Sequence, residues 1–391
     1  MGGRQMRVLV TYGRHSKTLS VVRSLGRSGR EVVVTDSRRS PLSAYSRYCS
    51  HFALTPSPKD EPEEFLSQLA ETVRRFAIDA VIPMDDWECD LLSLSERRVR
   101  FGCRIMMPSQ EAYERARNKD KTIQLACELG LRVPKSVLLT EPDAIKQVVA
   151  EIGFPLVVKP AKSSGSRGFM LAQDEKTMLT IPELMARFGP IVAQEFIPKG
   201  GSIGVSYLMN DGDLRALFSH RRLVEYPESG GPSVVRVSIR HREAEAEGQR
   251  LLESMRWHGV AMVEFRIDSR TSKPVLMEIN PRFWGSLPLA IASGVDFPSL
   301  LCDMYEHGDA QKVLDYATGV KCVNLLPLGA MSILGRNGLR RAREIARYSL
   351  QSRCFDVESI DDPWPSLGAM ISLFGYVGDR SKLQTFFRTA Q

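Results

Sequence analysis

The residues of this 391-residue chain that could do chemistry gather in two places. The first is Lys159 and the loop after it. A β-rich run, Phe154–Pro160, delivers the lysine into Ala161–Gly168, which holds Ser163, Ser164, Gly165, Ser166 and Gly168. Glycines let backbone N–H groups approach an anion, hydroxyls add donors, and a lysine supplies a point charge for phosphate. No GxxxxGK[ST] pattern is present, so this is not a Walker A loop. Taken alone, it reads equally as a flexible connection. The second place is Glu264, Glu278 and Asn280. Residues two apart on a strand share a face, so Glu278 and Asn280 project together. A hairpin turn centred on Thr271 sets Glu264 opposite Glu278. Opposed carboxylates repel unless a cation sits between them, and three hard oxygen ligands on one face suit Mg²⁺. Val263, Phe265, Met277 and Ile279 are expected to bury the other face. Arg282, just beyond, offers its fork to a phosphoryl group or a carboxylate, or stacks on Phe283 or Trp284.

A third group lies between these two. Ser219–Ser233 reads as a loop in which His220, Arg221 and Arg222 form a cationic cluster beside Gly230-Gly231. Such a cluster suits an anionic substrate, with Arg236 and Arg240 adding to it. His258 is weighed as a general base or a structural histidine. Asp85-Asp86-Trp87-Glu88 ends a strand where open α/β sheets bind ligands; it could take an ammonium group or cap a helix.

The elements that must position these groups fall into unlike segments. In the first third, Arg7–Gly13, Glu31–Thr35, Ser50–Leu54, Ala80–Met84 and Arg104–Met107 alternate with helical periodicity at Lys17–Arg30 and Pro62–Phe76. Alternation predicts parallel pairing in an open α/β sheet. The first βα turn, Gly13-Arg14-His15-Ser16-Lys17, lacks GxGxxG, which argues against a dinucleotide site. From Glu111 the strands come in hairpins, with turns at Asn210–Asp213 and Asp268–Lys273, so that sheet is expected to be antiparallel. The predicted boundaries are 1–110, 111–310 (divided at 192/193) and a mostly helical 311–391.

Apolar residues at 43% and charged residues at 25% are ordinary for a globular chain and exclude disorder and fibrous repeats. Seven scattered cysteines without CxxC pairs, and no signal peptide, point to free thiols and a cytoplasmic location. The net charge of +7 is open to nucleic acid, an anionic membrane or phosphate-bearing ligands, but an excess this modest more often means nothing specific, and no nucleic-acid partner is expected. Gly338–Gln351 carries Leu339, Ala342, Ile345, Ala346 and Leu350 as a helical stripe, among Arg336, Arg340, Arg341, Arg343, Arg347 and Arg353. A stripe this small is expected to pack on the catalytic body or on the second subunit of a homodimer, near Asp361-Asp362, with no stable membrane insertion.

With these residues assembled, the chain resembles the ATP-grasp superfamily. Lys119 at a helix start, Lys159 before its loop, Gln194-Glu195-Phe196-Ile197 on a strand and Met277-Glu278-Ile279-Asn280-Pro281-Arg282 match the family's order and spacing over roughly 111–301. It is most similar to the carboxylate–amine ligases related to biotin carboxylase and the carbamoyl-phosphate synthetase large subunit. The resemblance implies a Rossmann-like pre-ATP-grasp domain, then a two-lobed ATP-grasp domain and a helical C-terminal extension, an α/β plus α+β architecture. It implies ATP and one or two Mg²⁺ ions, with Mn²⁺ as a substitute, and small-molecule carboxylate and amine substrates. Lys119 and Lys159 would contact phosphates, and Ser163–Gly168 would be the lid. Gln194 to Ile197 would hold the nucleotide, Glu195 and Ile197 at the adenine edge. Glu264, Glu278 and Asn280 would ligate metal, and Arg282 would steady an acyl phosphate. Arg282, Lys159 and Arg222 form the candidate catalytic set, with His220, Arg221, Arg222, Gly230, Gly231 and Arg282 toward the substrate. The family's ribose-binding glutamate is replaced near Ser202. A non-catalytic nucleotide-binding protein and a bicarbonate-activating enzyme stay open as alternatives.

Overall fold

The computed structural model describes residues 5–162, 168–226, 231–334 and 337–377, with backbone alone at 143 and 371–377. Ser163, Ser164, Gly165, Ser166, Gly230 and Arg336 therefore lie outside the described residues.

Five short strands, β1 (Arg7–Val10), β2 (Glu31–Asp36), β3 (His51–Leu54), β4 (Ala80–Ile82) and β5 (Arg104–Ile105), form a parallel sheet in the order β3-β2-β1-β4-β5. The inner strands β1, β2 and β4 are near-continuous apolar runs buried on both faces, as central parallel strands require, whereas the edge strand β3 is partly exposed. Val8, Val10 and Val34 face the helix α1 (Ser16–Arg27), whereas Leu9 and Val33 face α2 (Pro62–Arg75). The β4 chain leads into α3 (Asp86–Leu92), whose N-terminus Asp85 closes in a capping box with Glu88.

A four-stranded antiparallel sheet follows: β6 (Ser136–Leu139), β7 (Leu156–Pro160), β8 (Met170–Ala172) and β9 (Ile191–Glu195), in the order β6-β9-β7-β8. Leu139, Leu156, Val158, Ile191 and Ala193 form its core. The chain then enters a seven-stranded sheet ordered β14-β13-β10-β11-β12-β15-β16. Its strands are β10 (Lys199–Asn210), β11 (Asp213–Glu225), β12 (Ser233–Ile239), β13 (Gly259–Asp268), β14 (Pro274–Asn280), β15 (Lys321–Val323) and β16 (Cys354–Phe355). The β10–β11 turn pairs Asn210 with Asp213, and the residues between, Asp211 and Gly212, have φ of 49° and 97°. Both are left-handed, as a two-residue hairpin loop of the primed type demands.

Three expectations are corrected here, and one is made more specific. The segment read as a loop from Ser219 is strand as far as Glu225, because β11 keeps pairing with β10 and β12 through the polar stretch Ser219–Arg222. After 310, two short strands stand among the helices: β15 and β16 extend the large sheet and pair parallel with each other. Strands of two and three residues carry too few positions for a periodic signal. Met277 is only half-buried: Glu264 pairs with Glu278 but Phe265 pairs with Leu276, so Met277 is the extra residue of a bulge and Leu276 takes the core position. Finally, the Gly338–Leu350 helix turns Arg341 and Ile345 inward but leaves Leu339 and Leu350 81% and 90% exposed. Asp361 and Asp362 do not serve this helix; they pair with Arg27 and Arg23 of α1 at 2.7 and 2.8 Å.

The parallel sheet and the large sheet share one core. Val10, Val22 and Val34 belong to the same cluster as Leu208, Phe218, Trp284 and Phe297. The strand ends of both sheets are thereby held facing a common cleft.

Candidate active site

That cleft has a volume of about 760 Å³. On one side it is lined by the C-terminal ends of the parallel strands: Tyr12, Arg14, His15, Lys17, Asp36 and Trp87. Open α/β sheets place ligands at this edge, because the helix N-termini and the connecting loops converge there. On the other side stand His220, Arg222, Arg236, Glu264, Glu278 and Asn280, with Arg282 at the end of β14.

The opposed carboxylates are present as a direct cross-strand pair, Glu264 on β13 and Glu278 on β14. They are not equivalent. Glu264 takes Arg222 Nη2 at 2.7 Å and Asn280 Nδ2 at 3.1 Å. Burial, and the charge of Glu278 beside it, push its pKa up in spite of Arg222. Burial acts on Glu278 in the same sense, but Lys119 and Lys159 together prevail and hold it below the usual carboxylate range. Lys119 Nζ lies 3.5 Å from Glu278 Oε2. Lys119 reaches it because the backbone N–H of its helix start donates to Ala161 O, 3.1 Å away at the end of β7. Burial lowers the Lys159 pKa to about 8, with Glu278 opposing and Lys119 reinforcing that shift. Two lysines and two carboxylates thus share one partly desolvated corner.

Arg282 is fixed from the parallel sheet. Its Nε and Nη2 bond Asp86 Oδ1 and Oδ2 at 2.8 and 3.1 Å, and Nη1 donates to Phe283 O at 3.0 Å. Asp86 therefore binds a guanidinium, while Asp85 caps α3.

The cationic cluster breaks up, because successive strand residues point to opposite faces. Arg221 is exposed on the side away from the cleft, whereas His220 and Arg222 line it. Burial lowers the His220 pKa to about 3, so the ring is neutral at physiological pH. Its Nδ1 lies 3.5 Å from Ser286 Oγ. Arg222 remains as a cation, bonded to Glu264 and reaching Gly231 O at 3.5 Å. Arg236 is buried against Asp356. Arg240 stacks on the Tyr316 ring. His258 stands outside the cleft lining, 3.5 Å from Asp211 and edge-on to Tyr305.

The adenine-edge candidates lie where the chain passes from β9 to β10. Gln194 is fully buried; its Nε2 donates to Ser136 Oγ at 2.9 Å and its Oε1 has no partner among the described residues. Glu195 takes Arg270 Nη2 at 3.1 Å, and Ile197 O takes Arg266 Nη1 at 3.2 Å. Phe196 is the half-buried residue between them. Ser202 is half-buried on β10, opposite Arg266. None of these five lines the 760 Å³ cleft among the described residues. Gly168 closes the Ser/Gly loop with φ of 72°; a side chain there would come within 2.7 Å of Pro160 Cγ, so only glycine fits.

Sequence reasoning missed the contribution of the β1–α1 turn, Tyr12 to Lys17. Its one usable signal was a basic turn at the carboxyl end of a parallel strand. Lys17 is 3% exposed and its Nζ meets Phe283 O only at 3.5 Å.

Residues 116–286 match the family model described as ATP-grasp domain. Over these residues the chain is similar to ATP-grasp domains. All the strand-borne candidates of the large sheet, and both Lys119 and Lys159, fall inside this ATP-grasp span. Over 293 residues the chain is 21% identical to the carbamoyl phosphate synthase large chain of Thermus thermophilus, covering 71% of this chain and 28% of that protein. Over 199 residues it is 26% identical to a probable alpha-L-glutamate ligase of a Marinomonas species, covering 49% and 63%. The chain thus spans less than two thirds of either relative. In three dimensions, the N5-carboxyaminoimidazole synthetase of Staphylococcus aureus complexed with ADP superposes with a TM-score of 0.68 at 17% identity, over 88% of each chain. That likeness extends the shared fold beyond the ATP-grasp domain into the flanking segments.

Proposed function

We propose that this protein is an ATP-dependent ligase that joins a carboxylate to an amine through an acyl phosphate, releasing ADP and phosphate. The observation that carries this reading is the Glu264–Glu278 pair with Asn280 on one sheet face, approached by Lys119 and Lys159 and opening on a cleft large enough for two small substrates. The kinds of protein matched support it, since glutamate ligases and carbamoyl phosphate synthases are among them.

The donor set suits Mg²⁺: two carboxylates and an amide oxygen are hard ligands, and the Asn280 amide nitrogen already points to Glu264, which leaves its oxygen available. Glu264, Glu278 and Asn280 would hold the ion, which supplies charge neutralisation at the phosphates when bound. The protein's own groups do the rest. Lys119 and Lys159 bind nucleotide phosphates, and Glu195 and Ile197 take the adenine edge through backbone groups. Arg282, held rigid by Asp86, presents a fixed positive charge where the acyl phosphate forms. A substrate carboxylate oxygen attacks the γ-phosphorus and the bond to ADP breaks. The amine then adds to the acyl carbon, phosphate leaves, and the amine loses a proton. The segment 163–168 is assigned as the lid that keeps water from the acyl phosphate. Residues 1–110 are assigned as the pre-ATP-grasp domain and 111–310 as the two-lobed catalytic domain. The third segment, 311–391, completes the large sheet.

A paired screen of carboxylic acids and amines for ADP release tests this reading. ADP release that needs one acid and one amine together supports it. Release that needs bicarbonate, or nucleotide binding with no turnover on any pair, overturns it.

A further inference from the structure

Eight of the fifteen exposed large hydrophobic side chains among the described residues fall within residues 333–370. Exposed apolar residues scattered singly need no explanation, but a concentration of them does. The elements that carry them touch in sequence. The Ala330–Leu334 helix packs on the Gly338–Leu350 helix and on the Leu325–Gly329 turn, and that turn packs on the Trp364–Val377 helix. Leu334, Leu339 and Leu350 are 58%, 81% and 90% exposed, and Trp364, Leu367 and Met370 are 61%, 45% and 41% exposed.

Each helix has an unusual feature. The Trp364–Val377 helix has no charged residue in its 14 positions. It packs through Gly368 and Ala369 toward the Leu42–Tyr45 turn and keeps Trp364, Leu367 and Met370 outward. An uncharged, mostly apolar helix belongs in a protein core or in lipid, and over its described residues this one falls short of the about 20 that cross a bilayer. The Gly338–Leu350 helix carries Leu339, Arg343, Arg347 and Leu350 on one exposed face, at spacings of four, four and three. Arg340 and Arg353 are exposed nearby. Its one acid, Glu344, is held by the inward Arg341 at 3.3 Å.

We propose that this surface docks the protein on an anionic lipid membrane, with the arginines at the phosphate level and Trp364, Leu367, Met370 and the two leucines in the headgroup–acyl boundary. Interfacial anchors combine a cationic polar face with shallowly buried apolar side chains in this way. A second copy fits less well. An isologous dimer through this face would set Arg343 and Arg347 against like charges, with no free acid on the helix to offset them. The proposal does not depend on which reaction the cleft performs.

Flotation of the full-length protein with vesicles tests it, using phosphatidylcholine alone and phosphatidylcholine mixed with phosphatidylglycerol. We expect binding to the anionic vesicles alone, weakened by high salt. Each arginine near an anionic surface contributes enough to change affinity several-fold, so the R343E/R347E double variant should bind at least about tenfold more weakly. The W364A/L367S variant should also bind more weakly, including at low salt. Both variants should keep the wild-type nucleotide affinity, which reports that they fold. Equal binding to both vesicle types, no binding to either, or binding unchanged in R343E/R347E would overturn the proposal. So would a concentration-dependent dimer of the wild type that R343E/R347E dissolves.

Discussion

Arg282, the first residue but one beyond β14, is held in a two-point ion pair by Asp86 at the start of α3. The pair joins the end of the strand bearing Glu278 and Asn280 to the edge of the parallel sheet. Both side chains are largely buried, at 12% and 4% exposure. The relative placement of the two walls of the cleft therefore rests in part on one guanidinium–carboxylate contact.

Removing one partner of a buried pair leaves the other charge uncompensated. Asp86→Ala should lower the unfolding free energy by about 3 kcal/mol. Urea denaturation measures this directly, and a midpoint equal to the wild type's would mean that the pair contributes little to stability.

Glu278 carries charge in the cleft and is the partner of Lys119, so Glu278→Ala should stay folded at 25 °C but melt below the wild type, because it leaves that buried ammonium without its carboxylate. Its loss should cut ADP formation by at least about 100-fold, the scale seen when one group stabilising transition-state charge is removed. Normal turnover in a folded variant contradicts the assignment of this strand pair.

The pH dependence of nucleotide binding follows from Lys159. Burial sets its pKa at about 8, down from the ordinary lysine range. The ammonium form that attracts phosphate is therefore full below about pH 8 and is lost as pH rises through that value. Calorimetric titration of ATP between pH 7 and 9.5 should show affinity falling above about pH 8, by roughly tenfold or more, as expected for loss of a charged hydrogen bond. Lys159→Arg, which stays charged, should flatten the profile; a flat wild-type profile assigns phosphate binding elsewhere.

Arg221 and Arg222 offer a contrast between neighbours. Arg222→Ala strips Glu264 of its cation and should raise both the Mg²⁺ requirement and the Michaelis constant of the acid substrate. Arg221→Ala, on the exposed opposite face, should match the wild type in both. Equal losses in the two variants would place the anionic substrate outside the cleft described above.

Much of this site was legible one-dimensionally. A strand fixes side-chain direction with a period of two, so Glu278 and Asn280 share a face whatever surrounds them. Hairpin geometry sets Glu264 against Glu278 once the turn is located. The parallel order of the first sheet is likewise a consequence of alternating strand and helix. Long-range packing decided what local periodicity could not. Arg221 left the cationic cluster because β11 runs on through it, in pairing with β10 and β12. His220 lost its charge by burial, which no residue type announces. Arg282 met Asp86, and Asp361 met Arg27, across distances in sequence that carry no pattern. The β1–α1 turn became a wall of the cleft because two separate sheets share one core. Residue spacing determines which side chains leave the backbone together; only the tertiary fold decides what they meet and how much water remains around them.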